Sequence, residues 1–246
     1  MPSKLERKNE IQQRMFEIES HYPSGHRPTL VHVTKTQPVD DIFCAYELGV
    51  RHFGENRVDE LREKASECWD KGIRDIHWHF IGNLQSNKIN RLFQVRGLSY
   101  IHSVDSFKLL KSLIERVDNL PDDSRGPVNL FIQVNTSNES EKSGLTDWDE
   151  LMAMANYYSG LKNDLHPALS KMQWLGLMTM SKLRTDDFAK DARKCFSRLI
   201  DIRDTLDRDF DLHDLELSMG MSNDFQIALE MRSDYLRLGS LIYKNS

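Results

Sequence analysis

Leu30-Val31-His32-Val33-Thr34-Lys35 is the stretch from which the fold can be read. It is short and rich in β-branched residues, so it reads as a strand. Directly after it, Val39, Ile42, Phe43 and Tyr46 recur at spacings of three and four, which is one face of a helix, and Gly49 suits the helix C-terminus. His52-Phe53-Gly54-Glu55 reads as a second strand, and Val58, Leu61, Ala65 and Cys68 mark a second helix. Strand and helix alternate here as they do in right-handed parallel units.

The alternation extends in both directions. Upstream, Leu5, Ile11, Met15 and Ile18 predict a helix over residues 3–20, broken by His21-Tyr22-Pro23-Ser24-Gly25. Downstream, strands are predicted over residues 76–81, 100–104, 128–134, 172–178, 215–219 and 235–242. Helices are predicted over residues 87–94, through Phe107 to Val117, through Trp148 to Tyr158, from Phe188 onward, and over residues 224–231. Eight strands alternating with helices predict an α/β fold: a single (β/α)8 TIM barrel over residues 1–246, with one extra N-terminal helix. An open doubly wound sheet is the alternative that the same periodicity allows. No Pro/Gly/Ser-rich linker and no low-complexity tract divides the chain.

Composition narrows the function. Hydrophobic residues make up 39% and charged residues 29% of 246, which excludes disordered and collagen-like chains. Lys+Arg is 33 against 38 Asp+Glu, and a net charge of −5 offers no general attraction for nucleic acid. The three cysteines lie far apart with no CxxC, which argues against a disulfide framework or a cysteine zinc site and for a reducing compartment. No apolar run approaches the ~18 residues that span a bilayer. Met1-Pro2-Ser3-Lys4-Leu5-Glu6-Arg7 has the pattern of neither a signal nor a transit peptide. The expectation is a cytoplasmic monomer with neither nucleic acid nor membrane as partner.

In a barrel, chemistry sits at the C-terminal ends of the strands. Polar and glycine-rich residues gather there: Thr34-Lys35-Thr36, Gly54-Glu55-Asn56-Arg57, Gly82-Asn83-Leu84-Gln85-Ser86, Asn135-Thr136-Ser137, Thr179-Met180-Ser181, Gly220-Met221-Ser222-Asn223-Asp224 and Arg237-Leu238-Gly239-Ser240. Strand alternation turns Lys35 the same way as Val31 and Val33. If that is the barrel interior, its ammonium is partly desolvated at the mouth and becomes a nucleophile towards aldehydes; a lysine extending to solvent is the other reading. Ser218-Met219-Gly220-Met221-Ser222 leads into a helix, and with the last strand it makes a candidate phosphate site, or else a tight turn capped by serine. His77 and His79 share a strand face, but lacking a third ligand nearby in sequence they read as packed histidines rather than a metal site. Met178, Met180, Met219 and Met221 read as core or rim packing.

Taken together, seven segments resemble one family in its order: Val33-Thr34-Lys35-Thr36, His52-Phe53-Gly54-Glu55-Asn56-Arg57, His79-Phe80-Ile81-Gly82-Asn83-Leu84-Gln85-Ser86-Asn87-Lys88, Lys142-Ser143-Gly144-Leu145, Gly176-Leu177-Met178-Thr179, Leu217-Ser218-Met219-Gly220-Met221-Ser222-Asn223-Asp224-Phe225 and Arg237-Leu238-Gly239-Ser240. The chain resembles the pyridoxal 5′-phosphate (PLP) homeostasis proteins, the YggS/PROSC family. The resemblance implies a barrel like the N-terminal domain of alanine racemase, with PLP held as an internal aldimine on Lys35. It implies Asn56 near the ring hydroxyl, Arg237 facing the pyridine nitrogen, and Ser218, Gly220, Met221, Ser222, Gly239 and Ser240 around the phosphate. The chain departs from the family pattern at Met231-Arg232-Ser233, where a glycine turn is commoner, and over residues 241–246, where Phe-Gly and a basic tail are usual.

Three functions compete. The first is a carrier that buffers or delivers PLP in vitamin B6 homeostasis without robust catalysis, with PLP-dependent apoenzymes as recipients. In support, racemisation needs acid/base groups on both faces of the substrate carbon; alanine racemase takes its second from another domain, and none is expected after strand eight. The second is a PLP-dependent racemase or decarboxylase. The third is a barrel enzyme for a phosphorylated metabolite, without PLP.

Overall fold

The computed structural model describes residues 3–120, 126–137, 139, 143–182, 185–210 and 212–243. Eight parallel strands close into a barrel in sequence order: β1 (Thr29–Val33), β2 (His52–Glu55), β3 (His77–Phe80), β4 (Leu98–Val104), β5 (Val128–Gln133), β6 (Met172–Met178), β7 (Glu216–Ser218) and β8 (Tyr235–Leu238). β8 returns to β1 with Val31 opposite Arg237 and His32 opposite Leu238. The open-sheet alternative is thereby removed.

Alternation along each strand sorts the side chains into two layers. Val31, Phe131, Met178 and Tyr235 pack inside the barrel, with Tyr100 and Met180 against them. Outward-facing residues such as Phe53, Leu217 and Leu236 join Ile42, Leu61, Leu110 and Phe196 in the larger core beneath the helices. Those helices are α1 (Lys4–Glu19), α2 (Val39–Glu47), α3 (Val58–Asp70), α4 (Ile89–Phe93), α5 (Phe107–Glu115), α6 (Trp148–Asn163), α7 (Phe188–Phe210), α8 (Phe225–Glu230) and α9 (Ser240–Tyr243). Among the described residues no helix is long and apolar enough to cross a membrane.

Three local expectations need correction. The first strand ends at Val33, not Lys35: Lys35 and Thr36 form a turn in which Thr36 takes a left-handed φ of 68°. The expected helix over 87–94 splits into a 3-10 turn (Ser86–Lys88) followed by α4. The last strand ends at Leu238, so Gly239 lies beyond it and Ser240 opens a helix. The expected strand runs on through Leu241-Ile242, but the amides of Ile242 and Tyr243 both donate to the Gly239 carbonyl at 2.9 Å, closing a helical turn. At the departure noted from the family pattern, Arg232 adopts φ 56°, the conformation a glycine would take without cost.

The extra helix α1 starts with a capping box, Ser3 and Glu6 exchanging hydrogen bonds. Arg7 on α1 grips Asp41 of α2 with two bonds, Nε to Oδ1 at 2.8 Å and Nη2 to Oδ2 at 2.7 Å. Its Nη2 also reaches the Tyr243 carbonyl at 3.1 Å, and Arg14 reaches that of Ile242 at 3.0 Å, so α1 satisfies the end of α9. The hydrogen bonds it donates to Asp41 hold the Arg7 guanidinium above its ordinary pKa, against burial. Arg7 is 8% exposed and Asp41 5%. Asp41→Ala would strand a buried cation and is expected to cost roughly 3–5 kcal/mol in urea unfolding. A loss below about 1 kcal/mol, the range of surface pairs, would mean that water screens the pair.

Candidate functional site

At the C-terminal mouth of the barrel the structure places Lys35 in the turn after β1 with its side chain exposed, not desolvated as its strand position suggested. The turn itself is anchored from below. Thr34 is buried; its Oγ1 donates to Glu55 Oε1 at 2.7 Å. Lys64 on α3 donates to the same oxygen at 2.7 Å and to the Thr34 carbonyl at 2.8 Å. Glu55 is buried, which pushes its carboxyl pKa up, while Lys64 and Thr34 hold it down. Its second oxygen, Oε2, has no hydrogen-bond partner among the described residues. Asn56 follows Glu55 and is exposed. Its carbonyl lies 1.9 Å from where a Cβ at Gly82 would sit, so the loops after β2 and β3 can meet only because Gly82 is glycine.

The loop after β7 is tightly formed. Gly220 has φ 95°, and a Cβ there would come within 2.6 Å of the Ala228 Cβ. Asp224, 3% exposed, accepts the Met221 amide at 2.6 Å, and Ser181 donates its hydroxyl to the other carboxylate oxygen. Ser222 is half-buried beside this turn. On the next strand Arg237 is 5% exposed and donates to Ser218 Oγ at 2.6 Å and to the Thr179 carbonyl at 3.0 Å. The Arg237 amide bonds the Gly220 carbonyl at 3.0 Å, which ties the two loops together. Burial pushes the Arg237 pKa down to about 10, and the charge of Asp224 opposes the fall. Gly239 packs on β1, where a Cβ would lie 2.8 Å from the Val33 carbonyl, and Ser240 beside it is exposed.

Of the residues singled out from sequence, Gly220, Met221, Ser222, Arg237, Gly239 and Ser240 therefore lie at two adjoining strand ends, with Lys35 in the turn after the neighbouring β1. Ser218 lies deeper. It is fully buried, and its hydroxyl meets Arg237 and, at 2.9 Å, Nδ1 of His102 inside the barrel. His79 does not pair with His77 as a ligand set: its Nε2 meets His52 Nδ1 and its Nδ1 meets His102 Nε2, both at 2.9 Å. Among the described residues no group of three or more His, Cys, Asp or Glu is arranged to hold a metal. Lys142 lies outside the described residues, as do residues 244–246. A separate cavity of about 300 Å³, lined by Asn135, Trp148 and Arg198 among others, contains none of these residues.

Sequence reasoning passed over Asp224 as the holder of the loop, and over Lys64 and His102. Each is unremarkable in local sequence and becomes informative through burial.

Residues 8–246 match the alanine racemase N-terminal domain family. The chain is 36% identical over 223 residues to the pyridoxal phosphate homeostasis protein of Mus musculus, covering 88% of this chain and 76% of that one. It is 32% identical over 216 residues to the protein of the same name from Aquifex aeolicus, covering 87% and 85%. The structure of PipY from Synechococcus elongatus with PLP bound superposes with a TM-score of 0.76 at 29% identity, covering 95% of this chain and 99% of that one. Alanine racemase from E. faecalis shares the fold, with a TM-score of 0.68 at 15% identity over 97% of this chain and 58% of that one. The chain belongs to the pyridoxal phosphate homeostasis protein family, built on the alanine racemase N-terminal domain.

Proposed function

We propose that the protein binds PLP at the C-terminal mouth of its barrel and holds it for vitamin B6 homeostasis, without robust catalysis. The observation that carries this reading is the donor set at neighbouring strand ends. Lys35 offers an exposed primary amine, the β7 and β8 loops offer serine hydroxyls, and Arg237 offers a buried guanidinium. That set fits the three polar parts of PLP: an aldehyde, a phosphate and a ring nitrogen. The names of the relatives and the PLP-bound PipY structure support the same ligand.

PLP supplies, when bound, an aldehyde that a primary amine captures. Lys35 is the capturing amine. Ser222 and Ser240, with the backbone of Gly220, Met221 and Gly239, would surround the phosphate, and Asp224 keeps the Met221 turn in shape for it. Asn56 would stand near the ring hydroxyl and Arg237 at the ring nitrogen. Ser218 contributes from beneath, by holding Arg237. The protein acts on this reading as a single-domain cytoplasmic monomer that passes PLP to apoenzymes.

The test compares PLP with pyridoxal, which lacks the phosphate. A hydrogen bond to a charged group is worth ~1.5–3 kcal/mol. Ser222→Ala is therefore expected to weaken PLP binding by roughly 10- to 150-fold, read by absorbance titration. Pyridoxal affinity should be nearly unchanged. Equal losses for both ligands would overturn the phosphate assignment.

A further inference from the structure

The barrel interior of this chain holds a continuous line of polar contacts that runs away from the mouth. Arg237 Nη1 lies 2.6 Å from Ser218 Oγ, and Ser218 Oγ lies 2.9 Å from His102 Nδ1. His102 Nε2 is 2.9 Å from His79 Nδ1, and His79 Nε2 is 2.9 Å from His52 Nδ1. Five residues from five strands thus join end to end, from β8 through β7, β4 and β3 to the first residue of β2.

The direction of the line follows from proton counting. An arginine has donors and no acceptor, so the first contact runs from Arg237 to Ser218. Ser218 is fully buried, and among the described residues its hydroxyl touches only Arg237 and His102. A buried hydroxyl proton without an acceptor costs about 1–3 kcal/mol, so that proton goes to His102 Nδ1. A neutral imidazole that accepts at Nδ1 carries its proton on Nε2. His102 then donates to His79 Nδ1, and His79 donates to His52 Nδ1. Burial is the main force that keeps all three rings neutral: it pulls His52 down to about 4, and pulls His79 and His102 well below the usual histidine range. Stacking sets the ring planes, with His79 on Tyr100 at 4.0 Å and His102 on Phe131 at 4.4 Å between centroids.

We propose that Arg237 is positioned by a one-way hydrogen-bond chain, Arg237 to Ser218 to His102 to His79 to His52, in which all three histidines are Nε2–H tautomers. The inference rests on the reading that Arg237 meets the ring nitrogen of PLP. It makes His102, His79 and His52 positioning residues, and it commits the Ser218 hydroxyl proton to His102, leaving none for the cofactor phosphate. The reversed chain, with every histidine an Nδ1–H tautomer, would free that proton for a ligand.

The two directions differ at every ring nitrogen, and two-bond ¹⁵N–¹H spectra of the uniformly labelled protein, with and without PLP, tell them apart. The expected pattern at pH 7 is Nε2–H for His52, His79 and His102 in both states. An Nδ1–H tautomer or a doubly protonated ring at any of the three overturns the chain. This readout needs no variant and does not depend on PLP binding, so failure of the cofactor reading stays distinguishable from failure of this one. A second measurement addresses positioning. His102→Leu is expected to weaken PLP binding roughly tenfold, a typical size for one lost charged-network contact. His102→Asn, whose side-chain carbonyl can accept from Ser218, should recover most of the affinity. Equal losses in the two variants overturn the positioning role.

Discussion

Borohydride treatment of the PLP-loaded protein is expected to fix the cofactor on Lys35, and Lys35→Ala is expected to abolish that attachment entirely. Two observations single out this amine. Lys35 stands in the first turn past β1, beside the β8 loop that packs on Val33. The turn is held from beneath by Thr34, Glu55 and Lys64, so its position is set by buried contacts rather than by solvent. Lys64, the other lysine near β1, is occupied with Glu55 and the Thr34 carbonyl and points between barrel and α3. Because Lys35 is exposed, removing its side chain should change folding stability by no more than about 0.5 kcal/mol. Loss of the adduct would then report chemistry and not unfolding. Peptide mass spectrometry after reduction makes the check, and an adduct on any other lysine of the unmodified protein would refute the assignment.

The fold was legible because alternation of strand and helix depends on local apolar spacing, which the chain follows closely from Val31 to Leu236. Element ends were less legible where distant contacts decide them. Lys35 reads as strand by composition, yet the left-handed Thr36 and the Thr34–Glu55–Lys64 contacts end β1 two residues earlier. Leu241-Ile242 reads as strand, yet the carbonyls of Ile242 and Tyr243 are satisfied as a helix end by Arg14 and Arg7, more than 200 positions away. At the mouth, hydroxyls, glycines and a lysine are typical anion and aldehyde partners and could be found from residue type alone. Asp224 could not, because a carboxylate beside an anion loop looks like a solvated cap until its burial and its bond to Met221 are seen. The histidine line was hidden for a different reason. Alternation puts His77 and His79 on one face, but the partners of His79 come from β2 and β4, and strand register alone brings them together.

The PLP-loaded protein is expected to racemise or decarboxylate no amino acid at the ~1–10³ per second typical of enzymes, even where added amino acids change its absorbance. Racemisation needs proton-handling groups on both sides of the reacting carbon. Lys35 can serve one side. For the other, the loops that follow the eight strands contain no tyrosine, histidine or cysteine. Tyr46 is committed to Asp75 and Tyr243 to His32, while Tyr100 and Tyr235 lie in the inner layer. Of the buried carboxylates at the strand ends, Asp224 already accepts from Met221 and Ser181, and Glu55 accepts from Thr34 and Lys64. Arg237 adds a second obstacle. Arginine stays protonated at pH 7 even where burial lowers its pKa, so in the proposed arrangement it would donate to the ring nitrogen and withhold a proton from it. A ring left unprotonated is a weaker electron sink. In the proposed arrangement amino acids would still displace Lys35 from the cofactor, because exchange of one amine for another needs neither a second acid/base group nor a strong sink. Chiral analysis of alanine after long incubation with the loaded protein, beside Lys35→Ala as blank, decides the matter. Turnover within the enzymic range, lost in Lys35→Ala, would replace the carrier by a catalyst whose second proton-handling group is a lysine or carboxylate of these loops.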